Sequence, residues 1–343
     1  MISLSPSFKQ WYNYKASDGG RDNGDSPHCH VFPGKRDRRD CPRCHAKGKL
    51  QLSGGAPMAE CKVCYRHCNI PEGGYGFCGV RTCRDGFVVP ENYGRVTALA
   101  LDPIEKKPLH RFHPGSYILS VGSYGCNLRC PFCQNYEISW SEEVRDRKED
   151  SEYMTPETVA DAAEFYRSRG NIGVAFTYNE PLVCYEFVRD TAKLVAERGM
   201  KNVLVSNGMA ELSVLEEIIP YIHAMNIDLK GFTDGYYRDL LQGNRSMVMD
   251  FIREAVKHCH VELTTLIIPG ENDTTTEMDA LSAWISELKD GEGNRIGQEI
   301  PLHISRFFPR FKMTDRDATS VKLIYRLKEI AEKHLKYVYT GNC

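Results

Sequence analysis

At 343 residues the chain is long enough for one large domain or two moderate ones, and its 41% hydrophobic content supplies a sizeable core. A net charge of −2 gives no electrostatic case for binding nucleic acid or a membrane surface. No run of about 18 apolar residues marks a membrane span. The opening MISLSPSFKQWYNYK lacks the apolar core of a signal peptide, so a cytoplasmic location is expected. Fourteen cysteines in such a chain point to metal ligation rather than disulfides. Eleven of them lie at or before Cys133; of the other three, Cys184 and Cys259 read as ordinary buried thiols.

Residues 18–40 are polar, Gly-rich and charged, and read as loop or disorder. Residues 41–83 carry dense cysteines with little periodic pattern, as in a segment held by metal rather than by a core. Two ligand sets compete there. Cys41, Cys44, Cys61 and Cys64 have zinc-ribbon spacing. Alternatively, Cys61, Cys64, Cys68 and Cys78 form one quartet, and Cys61 and Cys64 cannot serve both. Spacing does not choose between zinc and an iron–sulfur cluster. Residues 87–113 read as a small β unit with GRVTALALD as a strand. The expected organisation is a Cys-rich metal-binding region over 1–115 and an α/β domain over 116–343.

Tyr117–Ser123 reads as an apolar strand broken by Gly122 and Gly125. The loop that follows, GSYGCNLRCPFCQN, places Cys126, Cys130 and Cys133 within eight residues, spaced x3 then x2. An iron–sulfur cube usually takes four cysteines. Three ligands leave one iron open to a small molecule, and an open position separates a reactive metal site from a structural one. Phe132 sets an aromatic face beside that position. The acidic run 141–152 reads as a solvated loop.

Further strands are expected at 174–177, 202–206, 224–229, 261–268, 302–305 and 337–340. The helices between them carry caps: Thr155 with Pro156 opens one that ends at Gly170, and another ends at Gly199. Repeated βα units predict a parallel sheet with helices outside it. Six or seven such units suggest a partial barrel of the (β/α)6 type, with ligand residues at the C-terminal strand ends. Those ends carry Tyr178-Asn179-Glu180-Pro181, Ser206-Asn207-Gly208, and Asp228 with Lys230 on one strand face. Charges at a barrel mouth need partners. They pair with each other or serve a zwitterionic ligand.

The C-x3-C-x2-C loop with an aromatic before its last cysteine resembles the signature of the radical S-adenosylmethionine (SAM) superfamily. The resemblance implies a [4Fe–4S] cluster on Cys126, Cys130 and Cys133, with SAM chelating the fourth iron. Reductive cleavage of SAM would then give a 5′-deoxyadenosyl radical that abstracts hydrogen from a substrate. Tyr178–Pro181 is similar to the family's Gly-Gly-Glu-Pro motif, which holds the SAM amino group; it lacks the glycines and keeps the Glu-Pro. VSNG (205–208), DLK (228–230) and TTLIIPGEND (264–273) resemble runs of pyruvate formate-lyase activating enzymes. This implies SAM contacts from Phe132, Asn179, Glu180, Ser206, Asn207, Asp228 and Lys230, with Ile267–Pro269 near adenine. The acid that helps bind a cation in those enzymes is Val205 here.

Residues 93–116, 303–315 and 336–342 resemble the radical SAM enzyme of the AmmeMemoRadiSam system, and the likeness spans roughly 60–342. It favours the quartet Cys61, Cys64, Cys68 and Cys78. Relatives carry a Cys-Pro-x-Cys knuckle after the YVYTGN segment. Here Cys41-Pro42-Arg43-Cys44 would stand in for it, with Cys29 or a nearby His. Implied partners are a flavodoxin- or ferredoxin-type reductant and either Memo and AMMECR family proteins or a glycyl radical enzyme; no membrane or nucleic acid is expected. The leading function is hydrogen abstraction from a substrate in an AmmeMemoRadiSam-type system; the alternative enzyme is a glycyl-radical activase. A non-enzyme alternative, an iron–sulfur carrier or zinc-bound interaction module, would need no Glu-Pro, SNG or DLK constellation.

Overall fold

A computed structural model describes residues 57–140, 144 and 146–343. The segment 18–40 and Cys29, Cys41 and Cys44 lie outside the described residues.

The main sheet has eight strands in simple sequential order. They are β1 (Ala98–Pro103), β2 (Tyr117–Gly122), β3 (Asn171–Phe176), β4 (Lys201–Ser206), β5 (Ala224–Asp228), β6 (His260–Ile267), β7 (Leu302–Arg306) and β8 (Val338–Gly341). Strands β2 to β8 run parallel, and β1 is antiparallel to β2 at one edge. The edges β1 and β8 do not pair with each other, so the barrel is partial. β1 falls before residue 116, on the N-terminal side of the expected division, yet it is hydrogen-bonded into this sheet along its whole length.

Six longer helices connect the strands: α1 (Pro156–Phe165), α2 (Tyr185–Glu197), α3 (Leu212–Ile218), α4 (Arg245–Ala255), α5 (Thr275–Ser286) and α6 (Val321–Ala331). Their starts are capped as the residue types dictate. The Thr155 hydroxyl accepts from Thr158 N, Asn244 from Met247 N, Thr274 from Glu277 N and Ser320 from Leu323 N. The α1 segment ends in a 3-10 turn at Gly170 with φ +82, and α2 ends before Gly199 with φ +69. On α2, Phe187, Val188, Thr191, Ala192 and Val195 form one buried stripe against the sheet.

The floor of the barrel is sealed by Glu262, which is fully buried. It accepts from His303 Nε2 at 2.6 Å, His260 Nε2 at 2.9 Å, and the backbone N–H groups of His110 and Arg111. Burial alone would raise its pKa, but these four partners hold the carboxyl down at about 2.

Two small hairpins, Met58–Glu60 with Asn69–Pro71 and Arg81–Arg84 with Phe87–Pro90, dock at the opposite end. Val63 O accepts from Glu211 N, and the Tyr65 hydroxyl donates to Gln242 O. Buried Arg81 pairs with Glu186 of α2 at 2.7 Å. The described part of the 141–152 run is anchored rather than freely solvated. Val144 is buried beside Val80 and Val183, Lys148 pairs with Glu91, and Glu152–Tyr153 pairs with Arg95–Val96.

Candidate active site

The cysteine loop leaves the C-terminal end of β2 and is fastened by asparagines. Asn179 accepts from Ser123 N at 3.0 Å and donates to Tyr124 O and Gly125 O. Asn127 donates to Met209 O at 2.6 Å, and Asn135 to Tyr178 O at 2.7 Å. Trp140 Nε1 donates to Cys130 O, and Lys312 N to Pro131 O. Gly125 has φ +91, and a Cβ there would come within 2.6 Å of Val80, so the turn requires glycine.

The loop forms one wall of an open cleft of about 1400 Å³ at the C-terminal strand ends. All ten residues expected at the SAM site line it: Cys126, Cys130, Cys133 and Phe132 from the loop, and Asn179, Glu180, Ser206, Asn207, Asp228 and Lys230 from β3, β4 and β5. No fourth cysteine is among the lining residues. From β6 the wall is Thr264 and Leu266, whereas Ile267 and Ile268 are fully buried in the core, as strand alternation requires for Ile267. Val205 also lines the cleft.

Glu180 faces inward. Its carboxylate accepts from the Ser206 hydroxyl at 2.8 Å, Leu182 N at 3.0 Å and Asn207 N at 2.8 Å, bracing the ends of β3 and β4. Burial raises its pKa to about 7 against the pull of these donors. Lys230 Nζ meets Asp228 Oδ2 at 2.8 Å, so the two charges neutralise each other across the mouth. Burial works against the ammonium, but Asp228 and the nearby Cys130 more than offset it, and the Lys230 pKa rises. Asn207 Nδ2 lies 3.8 Å from Cys126 Sγ and donates to Asn127 Oδ1 at 2.9 Å. Burial pushes the Cys130 thiol up to about 12 and raises Cys126 and Cys133 as well. A bound cation reverses that order and holds the sulfurs as thiolates.

The sequence did not announce a second polar group in the cleft. Asp102, on β1, accepts from Lys107 Nζ at 2.7 Å, the Tyr178 hydroxyl at 2.8 Å and the Ser120 hydroxyl at 2.9 Å. Lys106, Lys107 and Tyr178 all line the cleft. Tyr178 has φ +76, a conformation that costs a bulky residue energy and draws attention to its position. The adjacent lysines of DPIEKKP were the available signal.

Cys61, Cys64, Cys68 and Cys78 line a separate, smaller cavity. Buried Cys83 is not part of it; its thiol donates to Glu72 Oε2 at 3.5 Å. None of the described cysteines is in a disulfide. Among the described residues, no three His, Cys, Asp or Glu side chains are placed to hold a single metal ion, and no helix is long and apolar enough to cross a membrane.

An open-mouthed partial barrel whose first parallel strand delivers three thiols to a wide cleft defines an iron–sulfur enzyme of the SAM-cleaving kind. The radical SAM superfamily model matches residues 120–281, from the cysteine loop's strand into α5. The chain belongs to the radical SAM superfamily; it is an enzyme of the oxidoreductase kind that uses a [4Fe–4S] cluster and SAM. An uncharacterized protein of Methanocaldococcus jannaschii is 40% identical over 286 residues, covering 82% of this chain and 80% of that one. The pyruvate formate-lyase-activating enzyme of Clostridium pasteurianum is 26% identical over 218 residues, 61% of this chain and 89% of the relative. A radical SAM methyltransferase from Sphaerobacter thermophilus shares the fold at 17% identity, with a TM-score of 0.50 over 67% of each chain.

Proposed function

We propose that Cys126, Cys130 and Cys133 hold the [4Fe–4S] cluster and that the strand ends around them hold SAM for hydrogen abstraction from a substrate in an AmmeMemoRadiSam-type system. The observation that carries this reading is a three-thiol wall, without a fourth cysteine, opening on a cleft of about 1400 Å³. The space within it that a water-sized molecule can occupy, about 470 Å³, lies in the roughly 300–1000 Å³ range of a small-molecule pocket, and its mouth is open to solvent. When bound, the cluster and SAM supply one electron and a 5′-deoxyadenosyl radical.

The chain's own residues hold and orient. Lys230 offers an ammonium to a carboxylate, and Asp228 offers a carboxylate to an amino or hydroxyl group; each is neutralised by the other until a zwitterion arrives. Glu180 and Asn179 fix the loop and strand ends and so act as positioning residues. Phe132 is buried against the cluster side and excludes water. Lys106, Lys107 and Tyr178 stand where the substrate would enter; Asp102 holds Lys107 and Tyr178, and the exposed ammonium of Lys106 favours acidic groups. A flavodoxin- or ferredoxin-type protein would supply electrons, and Memo and AMMECR family proteins are the proposed associates.

The similarity to an activating enzyme of pyruvate formate-lyase supports a second reading, removal of hydrogen from a glycine of a partner protein. Anaerobic reconstitution with iron and sulfide, followed by dithionite and SAM, tests the common core. Production of 5′-deoxyadenosine that persists in Cys130→Ala would sink the cluster assignment. A glycine-centred radical seen by electron paramagnetic resonance in a partner protein would select the activase.

A further inference from the structure

We propose that Cys61, Cys64, Cys68 and Cys78 hold a second iron–sulfur cluster, saturated by four thiolates, that relays electrons to the site at Cys126, Cys130 and Cys133. The relay rests on the reading above; the cluster itself does not.

The four thiols line one small cavity beside Val63, Phe77 and Val183. Cys61, Cys64 and Cys78 are buried and Cys68 is partly exposed, which gives the cavity one face near solvent. Backbone donors are aimed at the sulfurs. Phe77 N lies 3.5 Å from Cys68 Sγ, Arg66 N points at Cys64, and the N–H groups of Val80 and Arg81 point at Cys78. Arg66 and Arg81 line the same cavity and offset negative charge.

Zinc would gather its sulfurs at about 2.3 Å from one point. These thiols do not converge in that way: among the described residues no three ligand groups are placed to hold a single ion. The four thiols instead line one cavity, and four cysteines are the usual ligand set of a four-iron core. The quartet's own spacing is one C-x2-C followed by x3 and x9; a zinc ribbon would take Cys41 and Cys44 as its second knuckle.

The two cysteine sets are neighbours. Asn127, next to Cys126, lines the quartet's cavity. Arg129, between Cys126 and Cys130, donates to Cys126 O at 2.9 Å and to Phe77 O, and Phe77 precedes Cys78. Its guanidinium stands 3.8 Å from the centre of the Phe77 ring. An electron from a flavodoxin- or ferredoxin-type reductant would enter at the Cys68 face, reduce the second cluster and leave it for the first, with no net change in the second.

The test uses the full chain carrying Cys126→Ala, Cys130→Ala and Cys133→Ala, reconstituted anaerobically with iron, sulfide and zinc together. About four iron and four sulfide per chain are expected, with a reduced-cluster paramagnetic signal that SAM does not alter. Stoichiometric zinc, or no metal, overturns the assignment whatever becomes of SAM cleavage. In the otherwise native chain, Cys64→Ala/Cys68→Ala should lose half of the iron. It should also lower the ratio of flavodoxin-driven to dithionite-driven 5′-deoxyadenosine formation about tenfold. An unchanged ratio overturns the relay.

Discussion

Burial raises the carboxyls of two glutamates at opposite ends of one barrel, yet the two end on opposite sides of the ordinary value. Glu262 at the floor is held at about 2, and Glu180 at the mouth rises to about 7. Both accept several hydrogen bonds. The difference lies in the partners: two imidazoles and two backbone N–H groups face Glu262, whereas Glu180 has only neutral donors, with Asp228 nearby adding like charge. The floor is a closed, satisfied ion network. The mouth carries Glu180 without a cationic donor of its own, beside the Asp228–Lys230 pair.

Substitutions should therefore separate the ends. The largest effect is expected from Cys130→Ala, which should remove SAM cleavage to background while circular dichroism stays native. Glu262→Ala strands two imidazoles and two N–H groups and should cost about 3–4 kcal/mol in chemical denaturation. Its SAM cleavage per folded molecule should hold, and a selective loss of cleavage would break the contrast.

The two carboxyls should also give opposite pH slopes in the unloaded protein. A depressed acid stabilises above its unfolded value and loses that stability as pH falls from 4.5 to about 2. A raised acid stabilises below 4.5 and loses that stability as pH rises to about 7. Each limb is worth roughly 3 kcal/mol. Urea titrations of Glu262→Gln and Glu180→Gln should each flatten one limb only; a variant that flattens the other's limb contradicts the assignment.

Lys230→Ala should weaken SAM binding about 10–100-fold by calorimetry, the loss of one charge-assisted contact. Thr155→Ala, remote from both ends, should cost only about 1 kcal/mol through the lost α1 cap.

Much of the mouth was legible because its residues follow strands whose apolar runs are plain. Cys126, Glu180, Ser206 and Asp228 each sit at or just past a strand's C-terminus, so period and punctuation placed them. The clamps were not legible. Asn127 and Asn135 look like ordinary loop residues, and their bonds to Met209 O and Tyr178 O depend on contacts far along the chain. Lys106 and Lys107 escaped notice because β1 was read with the N-terminal region, whereas its pairing with β2 swings DPIEKKP into the cleft. The asymmetric fates of Glu180 and Glu262 were equally hidden, since each is set by neighbours on other strands.

The unpaired edges β1 and β8 give the chamber a slot in its side. Lys106 and Lys107 follow one edge, Asn342 follows the other, and all three line the cleft. A closed barrel admits only what fits down its axis. Here the rim on that side is made of side chains and not of a hydrogen-bonded seam.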